Sequence, residues 1–246
     1  MKLDLKKLVI KDFSGKTAQQ EYVPKAEEGL WDSEIHFIKK YFIKKGNLLD
    51  IGCGTGRTTI PLSKMSFKVI GIDLIPKMIE NAKKIARNKK LKIDYRVGDA
   101  TNLKFKNSTF DYAIFSNQGW TQIPGRKNRL KALIEIKRIL KKDGILIFTA
   151  HRRVLKFSWI QEWFRFYVLK PLGFNVMEEE FGDEIYKRDG ADNSKSSWVY
   201  IHIPTVNEVK REIKKSGFRI LEVNGTLQVS KKDIRKRPPV FYVCQK

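Results

Sequence analysis

The chain has 246 residues, 41% hydrophobic and 31% charged, and 50 Lys and Arg against 27 Asp and Glu give a net charge of +23. That size and balance read as one large globular domain, or one domain with an insertion, and exclude a disordered chain or a small disulfide-held scaffold. Cys53 and Cys244 lie far apart, His36, His151 and His202 form no zinc-like spacing, and no run approaches the roughly 18 apolar residues that a membrane span needs.

The residues from Met1 to Lys7 hold no apolar signal core, and two separated cysteines suit a reducing compartment, so a cytoplasmic setting is expected. The positive charge suits RNA, DNA, an anionic membrane surface or an anionic substrate. Yet the lysines are spread along the whole chain, as on the lysine-rich surfaces of thermophilic proteins. The densest run, Lys231 to Arg237, is local and close to the end.

In chain order, residues 1–47 read as a helical segment. Its main helix runs from about Ala26 to Phe42, with Leu30, Ile35, Ile38 and Phe42 as candidate buried positions. Leu48-Leu49-Asp50-Ile51 is a short apolar strand that enters a loop with Gly52, Gly54 and Gly56. Residues 68–72 form the next strand, and Pro76 opens a helix whose Met78, Ile79, Ala82, Ile85 and Ala86 share a face. Strands follow at 93–97 and 111–115. A helix marked by Leu130, Leu133, Ile134, Ile136 and Leu140 then ends before Lys142-Asp143-Gly144. Residues 145–149 are apolar throughout, as a central parallel strand requires.

After residue 150 the rhythm breaks. Residues 157–167 hold Trp159, Trp163, Phe164, Phe166 and Tyr167 in a helix-like stretch, followed by a polar loop with Gly182, Asp183, Gly190, Asp192, Asn193 and Ser194. A helix from Thr205 to Ser216, capped by Thr205 or Asn207, and strands at 218–223 and 240–244 resume the alternation. Strand and helix alternating with short connections imply an α/β fold with a doubly wound sheet. Four regions follow: the helical segment 1–47, a binding core 48–150, an insertion 151–203, and a closing part 204–246.

Glycine lets the backbone approach a ligand closely, and a glycine loop between strand and helix holds a nucleotide-like cofactor at the carboxyl edge of a parallel sheet. A dinucleotide fingerprint places its third glycine at position 57, but Arg57 stands there and Gly56 comes one residue early. That spacing points away from NAD and toward S-adenosylmethionine. Asp73, ending the second strand, can accept hydrogen bonds from two ribose hydroxyls or cap the next helix. Asp99 closes the third strand beside Ala100, as an adenine acceptor or an ordinary turn residue. Ser116-Asn117-Gln118-Gly119-Trp120 leaves the fourth strand with polar side chains where a substrate belongs.

Asp50-Ile51-Gly52-Cys53-Gly54-Thr55-Gly56, Gly71-Ile72-Asp73, Gly98-Asp99-Ala100 and Lys141-Lys142-Asp143-Gly144-Ile145-Leu146 together resemble the class I S-adenosylmethionine-dependent methyltransferases. The resemblance is strong over residues 48–149. It implies a seven-stranded, mostly parallel sheet with the last strand antiparallel, helices on both faces, and an α-rich lid after strand five. It also implies S-adenosyl-L-methionine as cofactor and S-adenosyl-L-homocysteine as product. Gly52, Cys53, Gly54 and Gly56 fall in the cofactor loop. Asp50 is implied near the methionine amino group, Asp73 at the ribose, Asp99 and Ala100 at the adenine, Leu74 and Met78 on its face, and Ser116 at the methionine end. No metal is implied.

Methyl transfer needs nucleophile and methyl held in line, and a base only where the acceptor arrives protonated. His151, Tyr22 and Trp120 are the candidates around the reacting atoms, with Trp120 as a wall. His151 is alternatively a hinge residue between sheet and insertion. The aromatic insertion suits an apolar acceptor, a stacked base, peripheral membrane contact through 157–170 with Lys156, Arg165 and Lys170, or simply its own core. A small-molecule acceptor is the leading expectation. A tRNA or rRNA methyltransferase, similar to the wobble-uridine type, is the alternative, and a non-catalytic binding protein that keeps the cofactor fold is another.

Overall fold

The computed structural model describes residues 4–154, 157–174, 180–188 and 197–246. Lys156 and the stretch with Gly190, Asp192, Asn193 and Ser194 lie outside the described residues.

Seven strands form one sheet: β1 (Asn47–Ile51), β2 (Lys68–Asp73), β3 (Asp94–Val97), β4 (Phe110–Phe115), β5 (Leu140–Ala150), β8 (Arg219–Asn224) and β9 (Val240–Gln245). Their order is β3-β2-β1-β4-β5-β9-β8. The first five pair in parallel, while β9 runs antiparallel to both β5 and β8. The expected doubly wound sheet with its antiparallel last strand is therefore present. The strand order reverses at β1 and β4, which opens a crevice beyond their carboxyl ends.

Successive side chains of a strand point to opposite faces, and each face here has its own core. Leu49, Leu146, Phe148 and Tyr242 pack on Leu133 and Ile136 of α6 (Arg126–Ile139) and on Val209 and Ile213 of α8 (Val206–Lys215). Leu48, Ile147, Phe241 and Val243 pack on Phe37 and Ile38 of α3 (Asp32–Tyr41) and Leu62 of α4 (Thr59–Lys64). Pro76 opens α5 (Pro76–Asn88), which buries Met78, Ile79, Ala82 and Ala86. Thr205 caps α8 in a reciprocal box with Glu208, so Thr205 and not Asn207 is the cap.

Three features depart from the sequence reading. The helix expected from Ala26 begins at Asp32, because Gly29 takes φ +73° and Trp31 is extended; the Trp31 N–H donates to Glu34 Oε2 at 2.7 Å instead. Two further helices, α1 (Leu5–Ser14) and α2 (Lys16–Lys25), precede it, and the Asp4 carboxylate caps α1 through the Lys7 N–H. The insertion is also less helical than expected. It holds α7 (Phe157–Phe164), a π turn (Arg165–Leu169) and an antiparallel ribbon of β6 (Asp183–Arg188) and β7 (Ser197–His202). Tyr200 of that ribbon packs on Leu5, Leu8 and Val9 of α1. Among the described residues, no helix is long and apolar enough to cross a membrane.

Candidate active site

A cavity of about 280 Å³ fills the crevice. Its walls come from the ends of β1 to β4, from Gly119, Gln122, Ile123 and Pro124 after β4, and from Lys6, Val9, Phe13 and Tyr22 of α1 and α2. Nine of the sequence candidates stand in its wall: Gly52, Gly54, Asp73, Leu74, Met78, Asp99, Ala100, Ser116 and Tyr22.

Gly54 is the loop glycine with open space at its Cβ position. Its φ is +54°, a side chain added there meets nothing within 4 Å, and its N–H donates to Asp73 Oδ2 at 2.9 Å. The Ile75 N–H donates to Asp73 Oδ1, also at 2.9 Å. The two amides fix the carboxylate at the end of β2 and leave it further lone pairs toward the cavity. Burial pushes the Asp73 pKa up, against the lowering effect of those amides.

At the end of β3, Asp99 Oδ1 accepts from the Thr101 N–H and hydroxyl, each at 2.8 Å, and Asp99 Oδ2 accepts from Lys6 Nζ at 2.6 Å. Burial acts to raise the Asp99 pKa, but Lys6 and Thr101 outweigh it and hold the carboxyl below its ordinary value. Lys6 thus ties α1 over this end of the cavity. Leu74 and Met78 add apolar wall beside Asp73, where they pack with Ile75, Phe13 and Tyr22.

Ser116, where β4 ends, belongs to a buried network. Arg57 pairs with Glu34 through Nη1 at 2.9 Å and Nη2 at 2.7 Å, and Nη2 also donates to Ser116 Oγ at 3.0 Å. The Ser116 hydroxyl donates to Glu34 in turn. Committed to both partners, its oxygen can offer the cavity only an acceptor lone pair. Asn117 and Gln118 follow with φ of +48° and +54°, uncommon angles for residues with a Cβ. The Gln118 N–H donates to Thr149 Oγ1 at 2.8 Å, which steadies the turn and holds Asn117 in the wall.

Five candidates lie elsewhere. Asp50 is buried behind the loop, where its Oδ2 accepts from the Thr58 and Thr59 hydroxyls at 2.5 and 2.6 Å. Burial pushes its pKa up to about 6 despite those two hydroxyls. It therefore secures the turn into α4 and is not a wall residue. Cys53 is buried under the loop, and burial pushes its thiol up. Gly56 faces Tyr95 and Ile60, so a side chain there would strike the core. Trp120 is fully buried, with Nε1 donating to the Arg129 carbonyl at 3.2 Å and its ring 5.5 Å from Phe148. The packing of α6 turns that indole into the core, and it is no wall of the cavity.

His151, just beyond β5, is also absent from the wall. Burial first, and then neighbouring His202, lower its pKa to about 4. His202 Nδ1 lies 2.8 Å from Asp183 Oδ1, which also accepts from the Tyr200 hydroxyl at 2.9 Å. Glu180, Asp183 and His202 are close enough to suggest a metal cluster. However, Glu180 already accepts from Arg129 Nη2 at 2.5 Å, and Asp183 is engaged as above, so the group works as a clasp between lid and α6.

A depressed histidine pKa has a defined consequence for stability. The unfolded chain takes up the His151 proton near pH 6.5 and the folded chain only near pH 4. The stabilising contribution is complete above the unfolded value and is lost as pH falls through that window, by about 3 kcal/mol. Urea unfolding at pH 7 and pH 4.5 is expected to show a smaller acid loss for His151→Gln than for the parent. Equal losses would remove His151 from the titration.

The residues present fit S-adenosylmethionine: acceptors at the ends of β2 and β3, an apolar surface at Leu74 and Met78, and a glycine backbone in the wall. A family model described as a methyltransferase domain matches residues 49–148. The ubiquinone biosynthesis O-methyltransferase of Pelagibacter ubique is 30% identical over 191 residues, covering 70% of this chain and 76% of that protein. The demethylmenaquinone methyltransferase of Lactobacillus johnsonii is 34% identical over 157 residues, or 59% of this chain and 62% of that one. A solved S-adenosylmethionine-dependent methyltransferase from Methanosarcina mazei superposes with a TM-score of 0.67 at 24% identity, covering 89% of this chain and 98% of that one. The chain belongs to the class I S-adenosylmethionine-dependent methyltransferases. It is an enzyme of that family, with S-adenosyl-L-methionine as its cofactor.

Proposed function

We propose that this methyltransferase acts on a small, largely apolar ring compound bearing a hydroxyl group. The observation that carries the reading is the lining of the cavity. Phe13, Tyr22, Phe115, Ile123 and Pro124 make it apolar, with the neutral Asn117, Gln122 and Asn128 among them. Lys6 is the one basic residue in the wall among the described residues, and it is paired with Asp99. A site for an RNA backbone needs cations at the phosphates. Both relatives above whose names carry a substrate are named for quinones.

In this reading residues 48–150 hold the cofactor, residues 204–246 complete the sheet, and residues 1–47 close over the acceptor, backed by the lid 151–203 through Tyr200. Gly52 and Gly54 give the backbone close approach, Asp73 receives the ribose hydroxyls, Asp99 and Ala100 the adenine edge, and Ser116 the methionine amino group. S-adenosylmethionine supplies the activated methyl, and the residues of this chain supply alignment and exclude water. Tyr22 orients the acceptor, its ring set 5.6 Å from that of Phe13. A reducing, cytoplasmic setting suits the free Cys53 and Cys244.

The test is incubation with S-adenosylmethionine labelled at the methyl group, offering in parallel a hydroquinone with an isoprenoid tail, a simple catechol and unmodified tRNA. Label in the organic-extractable phenol ether is expected. Label confined to tRNA would overturn the acceptor class, and cofactor binding without any transfer would favour a binding protein.

A further inference from the structure

The lid carries an apolar face that no part of the chain covers among the described residues. Ile160, Trp163 and Phe164 of α7 recur at i, i+3 and i+4, the spacing of one helix face. In a domain such a face is buried against another layer. Here Trp163 is 50% exposed and Phe164 49%, and Leu172 and Phe174 extend the surface at 69% and 60%. The insertion has a core of its own, where the Trp159, Phe166 and Tyr167 rings gather around Phe181 at 6.0, 6.3 and 5.6 Å. The outward rings are therefore additional to that core.

Cations flank the face. Arg165 follows Trp163 and Phe164 in the chain, in an ion pair with Glu162 at 3.0 Å, and Lys170 precedes the exposed Leu172 and Phe174, its Nζ 4.4 Å over the inner Phe166 ring. On the ribbon, Lys187 Nζ stands 5.3 Å over the half-exposed Trp198. Tryptophan, tyrosine and phenylalanine bordered by lysine and arginine are the chemistry of a helix lying in a membrane interface. The net charge of +23 attracts an anionic surface and repels a second copy of the same chain.

We propose that this face docks the enzyme on an anionic lipid bilayer, with Trp163, Phe164, Leu172 and Phe174 entering the headgroup boundary. The ribbon's Tyr200 packs on Val9 of α1, and Val9 is also a wall of the cavity, so the docked lid shares a helix with the site. The inference goes beyond the acceptor assignment and does not depend on it, because its readout needs neither acceptor nor transfer.

The test is co-sedimentation of the full chain with phosphatidylcholine vesicles, with and without phosphatidylglycerol, at low and high salt. Wild type is expected to pellet with the phosphatidylglycerol vesicles at low salt. The double variants Trp163→Ser with Phe164→Ser, and Leu172→Ser with Phe174→Ser, are each expected to partition about tenfold less. Both should keep wild-type cofactor affinity by calorimetry, since neither pair lines the cavity. Wild type left in the supernatant at low salt overturns the proposal, as does equal partitioning of wild type and both variants. A wild-type dimer in sedimentation velocity that the variants convert to monomer, without vesicle binding, assigns the face to a second copy and also overturns it.

Discussion

Replacing Gly54 with arginine is expected to leave a folded protein that no longer binds S-adenosylmethionine measurably. Gly54 stands at φ +54°, so any other residue there carries strain of about 1–3 kcal/mol. That cost is local and leaves the two core faces untouched. A Cβ there meets nothing within 4 Å, and Gly54 lines the cavity of about 280 Å³. An arginine there competes with the ligand for volume and sets a second cation beside the sulfonium. The expected outcome is no detectable heat in a calorimetric titration and only a modest fall in melting temperature. Gly54→Ala should fall between the two. Wild-type affinity in Gly54→Arg would mean that the cofactor lies elsewhere.

The second large effect concerns stability. Glu34→Ala is expected to cost about 3–5 kcal/mol in urea unfolding, because it leaves the Arg57 guanidinium buried without its counter-charge. Arg57 is 8% exposed and Glu34 1%. Burial opposes the charge on Arg57, but Glu34 outweighs it and holds the arginine above its usual range. The other contacts of Arg57, the Gly29 carbonyl at 2.8 Å, the Ser116 hydroxyl at 3.0 Å and the Trp31 ring at 4.5 Å, do not neutralise it. Replacing both partners together, as Glu34→Met with Arg57→Leu, should restore much of the loss, since buried pairs often exchange for apolar residues at little cost. A Glu34→Ala protein within about 1 kcal/mol of wild type would show that water reaches Arg57.

What the sequence made legible was local. The strand at Leu48–Ile51 and its glycine loop, the acids at Asp73 and Asp99, the Pro76 helix and the Thr205 cap each sit within a few residues of their own signal. The Glu34–Arg57–Ser116 network is not of that kind, since its members are joined only by the fold. Arg57 entered the sequence reading as a missing glycine, and its role as the link between α3, the loop and β4 appears only in three dimensions. α1 was hidden for another reason: its buried Leu5, Leu8 and Val9 cover two turns among lysines, and their partner is Tyr200 of the lid. The β7 run, Trp198-Val199-Tyr200-Ile201, did carry a strand signal in its aromatic and β-branched residues. Trp120 read as a wall because it follows a polar loop, and only the packing of α6 decides that its ring turns inward.

The most direct measurement is a calorimetric titration of S-adenosylmethionine into wild type and Asp73→Ala. Gly54 and Ile75 hold the carboxylate ready to receive two hydroxyls, and two charge-assisted hydrogen bonds lost on alanine correspond to about a hundredfold weaker binding. Saturable one-to-one binding by wild type and that loss in the variant are expected. Equal affinity in the two proteins, or no binding by wild type, would contradict the assignment of the cavity to the cofactor.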